Sequence, residues 1–217
     1  MPTRQRILIT SGPTREYLDP VRFLTNGSSG RMGAALAETV LERGDIPVIV
    51  SGPVALEYPD GAEIYRIETT EQMLECCRQL FPNCNGIIGA AAPCDFRPEH
   101  FSERKLSKSE GNGDIVFRFV ETPDVLATLG QMKQPAQWIV GFALETENGK
   151  NHALEKLKRK NCDFIILNSP DSINSETATL QIFNASGELC VALSGSKKVI
   201  VRKILTLIDQ HRMNVIK

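Results

Sequence analysis

Apolar positions along the chain fall into short continuous runs, separated by longer stretches with helical spacing. Ile7-Leu8-Ile9, Pro47–Val50, Gly86–Ala92, Trp138–Ala143 and Phe164–Leu167 are the main runs. They lack the in–out alternation of a half-exposed strand, so they fit strands buried on both faces. Ile64–Ile67 and Ile115–Val120 read as further short strands. Between these runs, Gly30 to Arg43 carries Met32, Ala35, Leu36, Val40 and Leu41 on one helical face and stops at Gly44. Thr70, followed by Glu71, caps a helix bearing Met73, Leu74, Cys77 and Leu80. Thr122 and Pro123 start another through Leu129, with Pro123 at the first helical position. Two more run from Asn151 to Lys160 and from Lys197 to His211. The C-terminal part differs: Thr179–Phe183 and Glu188–Leu193 alternate around Asn184–Gly187, as a β-hairpin does. Strand–helix alternation predicts an α/β fold: a Rossmann-like, mostly parallel sheet with helices on both faces and the hairpin at one edge. Residues 1–217 read as a single domain.

The polar interruptions carry the candidate chemistry. Ser11-Gly12-Pro13-Thr14 breaks the first strand, and a polar loop follows with Arg15, Asp19, Arg22 and Asn26. Gly27-Ser28-Ser29-Gly30 then leads into the first helix. Strand, small-residue loop and helix together present backbone N–H groups to phosphate, and Ser28 or Ser29 can cap the helix or bond a phosphate oxygen. A turn made only for packing needs few residues, whereas this one spends many. Ligands of such folds bind beyond the carboxyl ends of the strands. Ala90–Arg97 belongs to that same edge, as does the helix start at Pro123. The polar stretch at about 97–113 reads as a flap that carries Lys105 and Lys108 over an anionic ligand. Lys156, Lys158, Arg159 and Lys160 form a basic cluster late in one helix.

Composition narrows this picture in a few places. With 41% hydrophobic and 24% charged residues and a net charge of -1, the chain has the balance of an ordinary globular protein. It has no field that would favour nucleic acid or a membrane surface. No apolar run approaches a membrane span, and the N-terminus has no signal-peptide pattern, so the cytoplasm is expected. The six cysteines form no CxxC pair and the three histidines are scattered, so no resident metal is expected. No GxxxxGK[ST] sequence is present. Ser51 follows the second strand where a nicotinamide-binding fold needs an acid for the ribose. The residues alone leave open a nucleoside triphosphate enzyme, an NAD(P)-dependent reductase and a non-catalytic nucleotide-binding module.

SGPTREYLDPVRFLTNGSSGRMG, AAAPCDFRP followed by KLSK, TPDVL, GFALET and KLKRKNCDFIILN occur in this order. Together they resemble the phosphopantothenate–cysteine ligase (phosphopantothenoylcysteine synthetase) family over nearly the whole chain. The resemblance implies a dimeric ligase of coenzyme A biosynthesis. It joins 4'-phosphopantothenate to L-cysteine through an acyl-nucleotidylate formed from CTP or ATP, with Mg2+ on the phosphates. By position it implies catalytic roles for Asn26, for Arg22 one helical turn before it, and for Lys105. It implies a phosphate loop of Gly12, Ser28, Ser29 and Gly30. Gly89, Ala90 and Ala91 would line the base pocket, with Asp95 on the nucleotide. Pro123, Asp124, Val125 and Leu126 would face the triphosphate, Phe142 the base, and Lys156 and Lys160 would complete the nucleotide site. Ser107 stands where the commoner pattern has lysine, and Pro93-Cys94 where it has Val-Ala. The segment after Asn168 also lacks a glycine-aromatic pattern that many relatives carry. Because the first strand begins so near Met1, a stand-alone synthetase is expected, with a separate decarboxylase as a partner.

Overall fold

β1 (Arg6–Ser11) is the strand around which a computed structural model of the chain arranges its main sheet. The described residues are 4–107, 115–145, 148–168 and 177–215. β1 pairs in parallel with β4 (Ile46–Ser51) on one side and β6 (Gly86–Gly89) on the other. β5 (Glu63–Arg66) continues beyond β4, and β9 (Trp138–Leu144) and β10 (Phe164–Asn168) beyond β6, all in parallel. β11 (Thr177–Asn184) and β12 (Leu189–Ser196) then add antiparallel, with a register shift at Ile182/Phe183. The eight-stranded order is β12-β11-β10-β9-β6-β1-β4-β5.

Successive residues of each central strand point to opposite faces, and both faces are covered, which is why the strands read as unbroken apolar runs. Ile7, Ile9, Ile49, Val140 and Ile166 join Leu36, Ala37 and Val40 of α1 (Arg31–Glu42) and Ile200, Val201, Ile204 and Leu205 of α5 (Lys197–Val215). Leu8, Val48, Ile87, Ile139 and Ile165 join Met73 and Cys77 of α2 (Thr70–Leu80). The same cluster takes in Leu129 of α3 (Val125–Met132) and Leu157 of α4 (Gly149–Arg159). The chain leaves β1 towards β4 and later returns to β6 on the other side. That reversal of direction is where a parallel sheet opens a crevice at its carboxyl edge.

Several local expectations are corrected. The long polar loop after β1 contains a small antiparallel pair, β2 (Arg15–Tyr17) and β3 (Phe23–Thr25), so Arg22 leads to Asn26 through a strand and not a helical turn. Residues 115–118 are not strand; β8 (Phe119–Glu121) pairs instead with β7 (Phe96–Pro98), which overlaps the start of the stretch expected to be flap. α2 is capped by Thr69, whose side chain takes the Gln72 N–H while Gln72 returns the bond, so Thr70 is already helical. α3 is capped by Asp124, through the Ala127 N–H, and not by Thr122. Lys108 and much of the expected flap lie outside the described residues. So do most residues of the segment after Asn168.

Candidate active site

A cleft of about 720 Å³ lies at the carboxyl ends of β1, β6 and β9, within the size range of small-molecule sites. One wall is the Asn26–Met32 segment and the start of α1. Gly30 is the N-cap of α1 in the left-handed region, φ 76°, which suits glycine and disfavours a side chain. No side chain caps this helix and no acidic residue stands in its first turn. Ser28 and Ser29 therefore line the cleft without capping α1, which corrects one of the two roles expected of them. α1 thus differs from α2 and α3: its N-cap residue supplies no side-chain acceptor, and the positive end of the helix faces the cleft.

The opposite wall is charged. Lys156 and Lys160, from the last turn of α4 and its C-cap, line the cleft with Pro123–Leu126 and Phe142. Lys156 Nζ bonds Glu145 Oε1 at 2.6 Å, and His152 Nδ1 lies 3.3 Å from the other carboxylate oxygen. Lys160 Nζ bonds Asp124 Oδ1 at 3.0 Å, with Arg159 on the other oxygen at 3.3 Å. Burial pushes the Asp124 carboxyl up, but the Ala127 N–H and the two cations outweigh it, and Asp124 stays below the ordinary carboxylate range. Burial acts the same way on Glu145, and Lys156 and His152 outweigh it. Both carboxylates are thus held ionised beside the lysines. The floor, Gly89–Asp95, joins the walls; there Asn26 Nδ2 donates to the carbonyls of Ala92 (3.1 Å) and Pro93 (2.9 Å). With both N–H groups occupied, Asn26 offers a ligand its Oδ1 acceptor.

Most of the expected site residues therefore meet here: Asn26, Ser28, Ser29, Gly30, Gly89, Ala90, Ala91, Asp95, Pro123, Asp124, Val125, Leu126, Phe142, Lys156 and Lys160. Gly12, Arg22 and Lys105 do not line the cleft. Gly12 lies behind the loop, at φ 74°. Arg22 Nη1 bonds Asp19 Oδ2 (2.6 Å) and the Leu106 carbonyl (3.1 Å), and the Leu106 N–H returns to Asp19 Oδ2 (3.2 Å). This latch fastens Leu106, at the base of the expected flap, and the exposed Lys105 beside it, to the loop before β3. Burial raises the Asp19 pKa, but the Val21, Arg22 and Leu106 N–H groups and the Arg22 guanidinium outweigh it and bring it to about 2. Asn168 and Lys197 line the cleft with no role assigned from sequence. Asn168 Oδ1 is buried with no hydrogen-bond partner among the described residues, and Lys197 is only 8% exposed. A polar residue ending a core strand was the available signal for Asn168; Lys197 looks like any first residue of an amphipathic helix.

Cys84 and Cys162 act as packing residues: burial pushes the Cys84 thiol up to about 11 and Cys162 to about 12. Among the described residues no cluster of three or more metal-ligating side chains occurs, and no helix is long and apolar enough to cross a membrane.

The sequence pattern of the DNA/pantothenate metabolism flavoprotein C-terminal domain matches residues 3–211. The chain belongs to this family. Among its relatives, the coenzyme A biosynthesis bifunctional protein CoaBC of Vibrio parahaemolyticus is 37% identical over 203 residues, 92% of this chain and 51% of that protein. A cysteine/cysteine sulfinic acid decarboxylase from an unknown prokaryotic organism is 41% identical over 214 residues, 94% of this chain and 59% of that protein. The chain thus spans between half and three-fifths of these two relatives, whose names describe the whole proteins. The crystal structure of the C-terminal domain of a CoaBC protein superposes with a TM-score of 0.83 at 37% identity, covering 97% of this chain and 96% of that domain. That domain shares the Rossmann-like sheet and helices, so the flavoprotein C-terminal domain fold extends over nearly all of this chain.

Proposed function

We propose that the chain is a ligase joining 4'-phosphopantothenate to L-cysteine, through an acyl-nucleotidylate made from CTP or ATP. The observation that carries this reading is the pairing of an uncapped α1 N-terminus with Lys156 and Lys160 across one cleft. Both are phosphate-binding devices already in place before a ligand arrives. Family membership and the coenzyme A biosynthesis proteins among the relatives supply the reaction class.

In this reading the triphosphate, entering as its magnesium complex, lies between the loop and the lysines, with its base near Phe142. The phosphopantothenate carboxylate attacks the α-phosphorus. One P–O bond forms, the bond to the bridging oxygen breaks, and pyrophosphate leaves. The cysteine amine then attacks the acyl carbon and loses a proton, and the nucleoside monophosphate departs with the former carboxylate oxygen. Asn26 contacts the acyl end. To donate to its oxygen, Asn26 gives up a bond to Ala92 or Pro93; as it stands it offers an acceptor. Lys105 acts after the flap base leaves the Asp19–Arg22 latch. Arg22, freed by the same opening, meets phosphate.

A reductase is disfavoured at β4. Ser51 sits where the ribose acid would be, its hydroxyl within bonding distance of Tyr58 and the Gly52 carbonyl. The exposed Val21, Phe23, Leu24, Phe96, Phe101 and Phe119, on and beside the two small strand pairs, support a homodimer through this face. We place the enzyme in the cytoplasm, with a decarboxylase as its functional partner. The test is pyrophosphate release by the purified chain with phosphopantothenate and Mg2+, comparing CTP with ATP. Release that requires phosphopantothenate, with product only when L-cysteine is added, is expected. Nucleotide binding without release in either case would leave a non-catalytic module.

A further inference from the structure

Ser11 ends β1, and its buried side chain reaches beneath the first turn of α1. A Cβ added at Gly33 would come within 2.0 Å of the Ser11 hydroxyl oxygen, so this glycine makes room for it. The Tyr58 hydroxyl donates to Ser11 Oγ at 2.8 Å, and Ser11 Oγ donates to the Gly30 carbonyl at 3.3 Å. Ser51 Oγ lies 2.8 Å from the Tyr58 oxygen on the other side. Each hydroxyl has one proton. With those of Tyr58 and Ser11 directed towards Gly30, Ser51 donates its own proton to the Gly52 carbonyl at 2.7 Å and only abuts the Tyr58 oxygen. The donors therefore run one way and end on the residue that opens α1. The Gly30 carbonyl also accepts the first helical bond, from the Ala34 N–H at 3.1 Å. Ser11, Ser51 and Tyr58 do not line the cleft, and all three are buried.

We propose that Tyr58, acting through Ser11, is a positioning residue for the glycine loop: it fixes the Gly30 peptide so that the N–H groups starting α1 face the cleft. The proposal rests on the reading that this loop receives the triphosphate. Val54, from the same segment after β4, supports it sterically, since its Cγ1 would lie 2.9 Å from a Cβ at Gly30. The residues following β4 thus hold a cleft that they do not themselves line. A buried chain of uncharged donors suits that task, because salt does not screen it as it screens exposed ion pairs.

The test uses Tyr58→Phe, which keeps the ring in its packing, together with Ser11→Ala and the double variant. Pyrophosphate release is measured with the nucleoside triphosphate varied at saturating phosphopantothenate, and then the reverse. Loss of one buried hydrogen bond should raise the triphosphate KM roughly tenfold. kcat and the phosphopantothenate KM should stay near wild type, because the loop grips ground state and transition state alike. The double variant should match the worse single one, since both remove the same connection. An unchanged triphosphate KM with a lowered Tm would show a packing role only and overturn the proposal, as would fully additive effects. Binding of non-hydrolysable CTP and ATP analogues to the same four proteins separates this question from turnover. If wild type binds an analogue but releases no pyrophosphate, the ligase reading fails while the affinity loss in Tyr58→Phe still decides the positioning role. If wild type binds neither analogue, the phosphate-loop reading fails and the proposal with it.

Discussion

The two walls of the cleft offer phosphate the same sign of charge but hold it in place by different physics. On the α1 side backbone N–H dipoles, aimed by a left-handed glycine and braced by buried neutral hydroxyls, stand beside Arg31, which also lines the cleft. On the α4 side the positive groups are ammonium groups, each held by a partly buried carboxylate. The first wall is braced from beneath by uncharged groups and depends on shape. The second is adjustable: each lysine has three donors, so it can keep its carboxylate while reaching a phosphate oxygen. In the proposed reaction, substrate charge would be met by a braced surface and an adjustable one. That suits a reaction in which pyrophosphate must be held and then released.

The comparison breaks most severely on the charged wall. Lys160→Ala removes the proposed phosphate donor and leaves Asp124 facing the cleft, and pyrophosphate release should fall by about 10²-fold or more. Lys160→Arg should recover part of the loss. On the shape-dependent wall, Gly33→Ala drives a Cβ into the Ser11 hydroxyl. It should cost about 1–3 kcal/mol of stability, read from urea unfolding, together with nucleotide affinity. Glu145→Gln should be milder, raising the triphosphate KM by about three- to fivefold as Lys156 loses its anchor. The smallest effect concerns the flap. Asp19 has a depressed pKa, so its contribution to the latch is fully present above its ordinary value of 3.8 and is lost as pH falls towards about 2. Protease cleavage near Leu106 should therefore quicken only below about pH 4 in wild type, and at neutral pH in Asp19→Asn.

The same contrast explains what could be read from the chain alone. The sheet was legible because each core strand is buried on both faces, so its residues form an unbroken apolar run. The α1 wall was legible because it is local: Ser28, Ser29, Gly30 and the helix they open are contiguous. The lysine wall was half legible: Lys156 and Lys160 lie one turn apart, but their carboxylate partners come from other elements. What stayed hidden was non-local. β7 and β8 are short and mostly exposed, and pair across the twenty mostly polar residues 99–118. Leu106 meets Asp19 from 87 positions away. Tyr58 is a single aromatic in a loop, and nothing in its neighbourhood announces Ser11. Caps shifted by one or two residues because Thr69 and Thr70, or Thr122 and Asp124, are equally good candidates by residue type.

The central claim is that the cleft brings a carboxylate to the α-phosphorus of a nucleoside triphosphate. The most direct test is to follow oxygen. Phosphopantothenate labelled with 18O in its carboxylate is turned over with L-cysteine and the accepted nucleotide, and the nucleoside monophosphate is analysed by mass spectrometry. The account predicts one 18O atom in the phosphate of each monophosphate released. Label found in inorganic phosphate, with a nucleoside diphosphate as co-product, would place the attack on the γ-phosphorus and contradict it.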